Sequence, residues 1–225
     1  VDEKGITMKT ANFKEWSLTK LDKTFDLTQI LSSECGVLQS WQARAKTIEL
    51  TEFEQQILLD LQAPLIWAGK AWNETELENK FISPLIMAAK IDDRQMGYFL
   101  ERALSGIVGD YTLSGLVDGM IAKGLREPEI PWFCMHEYKR SVDNEGNPDA
   151  QALAAMLVAR EKNANQKPVY GLYIVGSIWN FMVLNLDNSY CVSENYDASN
   201  KGIFSLFGMI KAVKVIIQEE YLRLE

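Results

Sequence analysis

From Pro168 to Leu186 the chain runs without one charged residue. That is close to the length of about 20 apolar residues needed to cross a bilayer. Pro168, Gly171, Gly176, Ser177, Asn180 and Asn185 interrupt it, however, and the rest is rich in aromatic and β-branched side chains. Gly176-Ser177 in the middle is a turn signal. The run is therefore expected to form two buried strands, VYGLYIV and IWNFMVLNL, with no membrane span. A third strand is expected in SYCVSEN. Buried strands need cover, and the segments before and after them must supply it.

The closing segment has the clearest helical period in the chain. Ile203, Phe207, Ile210, Val213, Ile217 and Tyr221 recur at helical spacing. Before the uncharged run, Asn147 is a cap and Pro148 the first residue of a helix. That helix carries Leu153, Met156 and Leu157 on one side, and five alanines around it allow close approach to a sheet. Earlier still, MGYFLERALSGIVGD and YTLSGLVDGMIAKG read as a hairpin turning at Gly109-Asp110, with PWFCMHEYK as the next strand.

The first half is expected to be helical. Thr51 with Glu54 is a capping box, opening a helix with Phe53, Ile57, Leu58 and Leu61 inward and a break or kink at Pro64. Asn73 with Glu76 is a second box. It starts a helix to about Ala89, with Leu77, Phe81, Leu85 and Ala88 inward and a kink at Pro84. Residues 1–50 follow no clean period, so short elements packed on a neighbour are expected there. The fold class expected is α/β: a mixed central sheet flanked by helices, with a partly helical N-terminal extension over 1–72 and a core over 73–225.

Composition narrows function only a little. The chain has 225 residues, 47% hydrophobic and 24% charged, as an ordinary globular protein does. Three widely spaced cysteines, in no CxxC pair, favour a reducing, cytoplasmic setting over a zinc cluster or disulfide framework. The opening VDEKGITMKT has no apolar run, so no leader is expected. One histidine, His136, rules out multi-histidine metal sites. The net charge of −8 argues against tight unaided DNA binding, because neutralised phosphates supply most of such affinity.

The chemistry concentrates in acids set within apolar strands. Asp118 lies in LVDGMI, and Glu137 with Lys139 lies in FCMHEYK. Period-two alternation would project Glu137 and Lys139 together, about 7 Å apart along the strand. A charge within such a strand is costly unless paired or bound to a metal. Asp118 and Glu137 on adjacent strands could supply carboxylates to Mg²⁺ or Mn²⁺, with the Tyr138 carbonyl as a third ligand. Lys139 would activate the attacking water or balance building charge. A strand-end salt bridge is the plainer alternative. Glu74 and Glu78 sit one helical turn apart, Glu78 at the border of the apolar face. Solvated helix surface is the plainer account of both.

These residues resemble a known pattern. WNETELENKFISPLI, VDG, HEYK, DAQALAAML and PVYGLYIVGSIWNFMVL, over about residues 72–215, are similar to the PD-(D/E)XK nuclease superfamily. Within it they resemble bacterial proteins akin to the nuclease domains of type I restriction subunits. The resemblance implies a restriction-endonuclease-like fold, with Asp118 and Glu137 as metal ligands and Lys139 as catalytic lysine. It also implies a contribution from Glu74 or Glu78 and a role for Gln151 after the catalytic strand. The chain departs from the pattern at Val117, where proline is usual, and at Ala155, where some subfamilies carry tyrosine.

Three expectations follow. The chain hydrolyses DNA phosphodiesters with a divalent cation, as a homo-oligomer or with a partner protein. Alternatively, the same fold is a non-catalytic module for nucleic-acid or protein interaction. The third is a structural protein whose acids form a salt bridge.

Overall fold

The computed structural model describes residues 8–139, 147–164 and 167–222, and for 134–139 the backbone alone. Among these, nine strands form one mixed sheet with helices on both faces. Strands β3 (Met96–Val108), β4 (Tyr111–Lys123) and β5 (Ile130–Lys139) are consecutive and antiparallel. The β3–β4 hairpin turns at Gly109-Asp110 as expected, with Gly109 at φ +55°, where only glycine is unstrained.

Helix α6 (Pro148–Lys162) then carries the chain to β6 (Val169–Val175), which lies parallel beside β5. The turn at Gly176-Ser177 leads into β7 (Ile178–Leu184), followed by β8 (Ser189–Val192) and the short β9 (Tyr196–Asp197). The uncharged run is thus the two buried strands expected of it. In β6, Tyr170, Leu172 and Ile174 face one core while Val169 and Tyr173 face the other. No helix among the described residues is long and apolar enough to cross a membrane.

The N-terminal segment joins the same sheet. Strand β1 (Lys9–Asn12) runs parallel to Tyr111–Ser114 of β4, and β2 (Thr28–Gln29) runs parallel to β8. Between them, Phe13, Trp16 and Leu21 of a 3₁₀ turn and helix α1 (Leu18–Phe25) are buried against α6. Helices α2 (Gly36–Lys46) and α3 (Glu52–Ala68) cover the opposite face with α7 (Gly202–Ile216). Short elements packed on a neighbour are what residues 1–50 supply.

Both capping boxes form. The Thr51 N–H donates to Glu54 Oε2 at 2.9 Å, and the Glu76 N–H donates to Asn73 Oδ1 at 2.8 Å. The expected inward face of α3 needs correction, since Phe53 is exposed and Glu54 is buried in its place with Leu58 and Leu65. Glu54 is turned in by its cap and by Lys211 of α7, whose ammonium lies 2.6 Å from the carboxylate. Nor does Pro64 break α3. Its position is exposed, so water can reach the carbonyl left without an N–H partner.

The segment around Pro84 behaves differently. Helix α4 (Glu74–Leu77) passes through one π turn, Glu78–Ile82, into α5 (Ser83–Ala88). The irregularity expected at Pro84 is this π turn just before it, closed by the Ser83 N–H on the Glu78 carbonyl. Asn147 does precede α6, but its side chain makes no cap. Its amide donates to the Trp16 carbonyl at 3.3 Å, fastening the helix start to the N-terminal turn.

Candidate functional site

Strands β3 and β4 share an irregularity at the acids. Leu113 and Val117 of β4 face the α6 side, yet so do Met120 and Ala122, although strict alternation would place the second pair on the other face. Strand β3 slips in step, since Phe99, Leu104 and Val108 all face α6. Because both strands slip together, the register holds: Leu100 pairs with Gly119 and Arg102 with Val117. Between those pairs Glu101 stands opposite Asp118. Glu101 takes a left-handed backbone, φ +47°, which costs free energy in a non-glycine residue and is the local source of the slip.

Asp118 is half-buried between buried Val117 and Gly119. A side chain at 119 would come within 2.6 Å of the Tyr98 hydroxyl, so glycine is what fits beside the acid. One residue along, Gly119 pairs with Met135 of β5, which places Asp118 and the EYK triplet on neighbouring strands as expected.

The β5 backbone then adds something that alternation does not foresee. His136 is in register with Tyr173 and Tyr138 with Ile174, so Glu137 is the extra residue of a β-bulge. The period-two argument that aligned Glu137 with Lys139 does not apply across a bulge. Where the side chains of Glu137, Tyr138 and Lys139 point lies outside the described residues. Lys139 is in register with Val175, the last residue of β6, so the triplet ends where the parallel pair ends.

Glu78 opens the π turn that follows α4, and α4 packs on β5. Its carboxyl is half-buried, and burial first, then the negative charge of Glu101, hold it above the usual carboxylate range. Glu74, one turn earlier, is exposed surface. Gln151 is buried in the first turns of α6. The structure therefore relates Glu78 to Glu101 and Glu101 to Asp118, while Glu74 stays outside.

Glu101 is the acid that residue-by-residue reading overlooked. The signal for it was present: counting the hairpin outward from Val108 opposite Tyr111 ends with Glu101 facing Asp118. Among the described residues, no three His, Cys, Asp or Glu side chains are gathered as a ready metal cage.

Comparison with protein-family models and with curated proteins finds no match for this chain. Half-buried Asp118 on β4, half-buried Glu78 on the π turn and exposed Glu101 on β3 are acids of the kind hard cations take as ligands, and a carboxyl raised by burial and by a like-charged neighbour is relieved when a cation arrives.

Proposed function

We propose that this chain hydrolyses phosphodiester bonds of DNA with the help of Mg²⁺ or Mn²⁺, through a site of the PD-(D/E)XK kind. The observation that carries the reading is the order of elements around the acids. A helix bearing Glu78 precedes three antiparallel strands, Asp118 lies on the middle strand, and EYK ends the third. Helix α6 then returns the chain to a strand parallel to the third. Open α/β sheets place ligand sites beyond the carboxyl ends of parallel strands, which is where Lys139 lies.

Asp118, Glu137, the Tyr138 carbonyl and Glu78 are the groups that would hold the cation. The cation's contribution, when bound, is to neutralise charge on the phosphoryl oxygens and acidify a water. Lys139 orients the attacking water or balances negative charge as the bond breaks. Gln151, buried near the start of α6, is assigned a positioning role. Glu74, exposed on α4, is assigned none.

The net charge of −8 favours one second reading, a nuclease-like module that binds another protein and does not cleave. Supercoiled plasmid nicking separates the two. Under the first reading, nicking needs Mg²⁺ or Mn²⁺, stops with a chelator, and falls about 10²-fold or more in Lys139→Ala and Asp118→Ala. Cleavage that is absent in wild type under all these conditions leaves the module reading. Cleavage that both variants retain in full removes the site.

A further inference from the structure

A cavity of about 630 Å³ lies between α2, α7 and the chain that joins β8 to β9. Pockets that take small organic molecules enclose about 300–1,000 Å³. None of the acids assigned to the hydrolytic site lines this one. Its wall is fixed before any ligand arrives. The Trp41 indole N–H of α2 donates to the Met209 carbonyl of α7 at 2.8 Å. Beside it, a Cβ added to Gly208 would come within 3.0 Å of the Ala45 carbonyl, so the two helix backbones touch where they form the wall.

One part of the lining is apolar. Phe204 and Met209 come from α7, and Ile48 and Leu50 from the segment between α2 and α3. The Gln55 amide donates to the Leu50 carbonyl at 3.0 Å, which pins that segment to the first turn of α3. Such a wall suits an aliphatic or aromatic body.

The rest carries two opposite charges. The Gln42 amide of α2 donates to both Glu194 carboxylate oxygens at 3.2 Å and lies 3.3 Å from the Tyr196 hydroxyl. A neutral amide positions the carboxylate but leaves its charge uncompensated. Lys46 lines the same cavity four residues beyond Gln42, on the same face of α2. Four residues rise roughly 6 Å along a helix. The two charges do not meet each other: among the described residues, neither Glu194 nor Lys46 has an ion-pair partner within 4.0 Å.

We propose that this cavity binds a small zwitterion of the α-amino-acid class with a large apolar side chain. The ligand's ammonium pairs with Glu194, its carboxylate pairs with Lys46, and its side chain lies on Phe204, Met209 and Ile48. Both charges are required of it, because a plain cation is repelled by Lys46 and a plain anion by Glu194. The ligand is held by non-covalent contacts alone. The proposal does not depend on the hydrolase reading.

The test is calorimetric titration of the wild-type chain with L-phenylalanine and L-leucine, beside glycine, N-acetylphenylalanine and phenylalaninamide. The two amino acids should bind at millimolar concentration or below. Each control should bind at least about tenfold more weakly, since glycine lacks the apolar body and the others lack one charge. Glu194 and Lys46 are exposed, so Glu194→Gln and Lys46→Gln should fold. Glu194→Gln should weaken phenylalanine about tenfold and leave N-acetylphenylalanine unchanged. Lys46→Gln should weaken phenylalanine similarly and leave phenylalaninamide unchanged. The wild-type titrations decide alone if a variant does not fold. The proposal is overturned if neither amino acid binds, if a charge-blocked analogue binds as tightly as phenylalanine, or if both variants bind phenylalanine as wild type does.

Discussion

On one face of the sheet, Trp41 of α2 meets Phe133, Tyr170 and Phe181 edge-on, with ring centroids 6.2, 5.1 and 5.0 Å away. On the other face lies α6, with Ala150, Ala152, Ala154, Ala155 and Ala159 all fully covered. The aromatic face spans its gap with large side chains reaching across from several helices. The alanine face closes its gap by bringing one helix backbone down to the strands. Interiors pack at uniform density, so each solution forbids the opposite change of volume. The aromatic side is sensitive to loss and the alanine side to gain.

The largest effect is therefore expected at Trp41. Trp41→Ala removes the ring from three aromatic contacts and leaves the Met209 carbonyl without the indole N–H that reaches it at 2.8 Å. A stability loss of about 3–5 kcal/mol follows from large-to-small changes of this kind. Urea unfolding with fluorescence of the remaining tryptophans measures it. A loss below 1 kcal/mol would mean that α2 is not part of the cooperative core.

Next comes the alanine side. Ala155→Leu should cost about 1–3 kcal/mol through overpacking, although leucine is a good helix former. The same substitution at exposed Ala43 of α2 should leave stability nearly unchanged. Comparing the two separates crowding from helix propensity, and equal effects would mean that α6 is not held as close as its burial indicates.

How much of this was readable beforehand varied with the element. The buried strands β6 and β7, α6, the closing helix and both capping boxes follow from uncharged runs, helical spacing and cap residues, all of which are local. Strands β1 and β2, four and two residues long, carry no period and are set by their partners β4 and β8. Phe53 was misplaced because an apolar residue was preferred over Glu54, whose inward turn depends on Lys211, far along the chain. At the candidate site, Asp118 and its position beside β5 were legible from the hairpin. The left-handed Glu101 and the bulge at Glu137 were not, because backbone dihedrals leave no trace in an alternation of polar and apolar letters.

The Glu54–Lys211 pair sharpens the comparison on the aromatic side, where it fastens α3 to α7. Burial raises the Glu54 carboxyl, but the Lys211 ammonium and the Thr51 bonds outweigh it and leave the group below its usual range. A depressed carboxyl contributes stability above its unfolded value, near about 4.3, and loses that contribution as pH falls through the lower folded value. Glu54→Gln should therefore cost about 1–2 kcal/mol at pH 7, in keeping with charge-assisted hydrogen bonds. The gap to wild type should close progressively in acid below pH 4. A gap that persists unchanged at pH 3 would assign the loss to packing rather than to the ion pair.

The smallest effect has the opposite sign and concerns the acids. Glu78 is raised by burial and by Glu101, so its folded form favours the proton. A raised carboxyl contributes stability below the unfolded carboxylate range and loses it as pH climbs through the folded value, leaving the charge at pH 7 partly desolvated and repelled by Glu101. Glu78→Gln removes that buried charge and its repulsion and should raise metal-free stability, by no more than about 0.5 kcal/mol because solvent screens a half-exposed group. Glu101→Gln should bring the Glu78 titration, followed by carboxyl NMR shifts, back toward its ordinary range. A carboxylate kept where it weakens the fold is what a cation site requires, whereas one serving only the fold should stabilise it. If Glu78→Gln lowers stability instead, Glu78 belongs with Glu54 as a structural acid, and the proposed cation site loses it as a ligand.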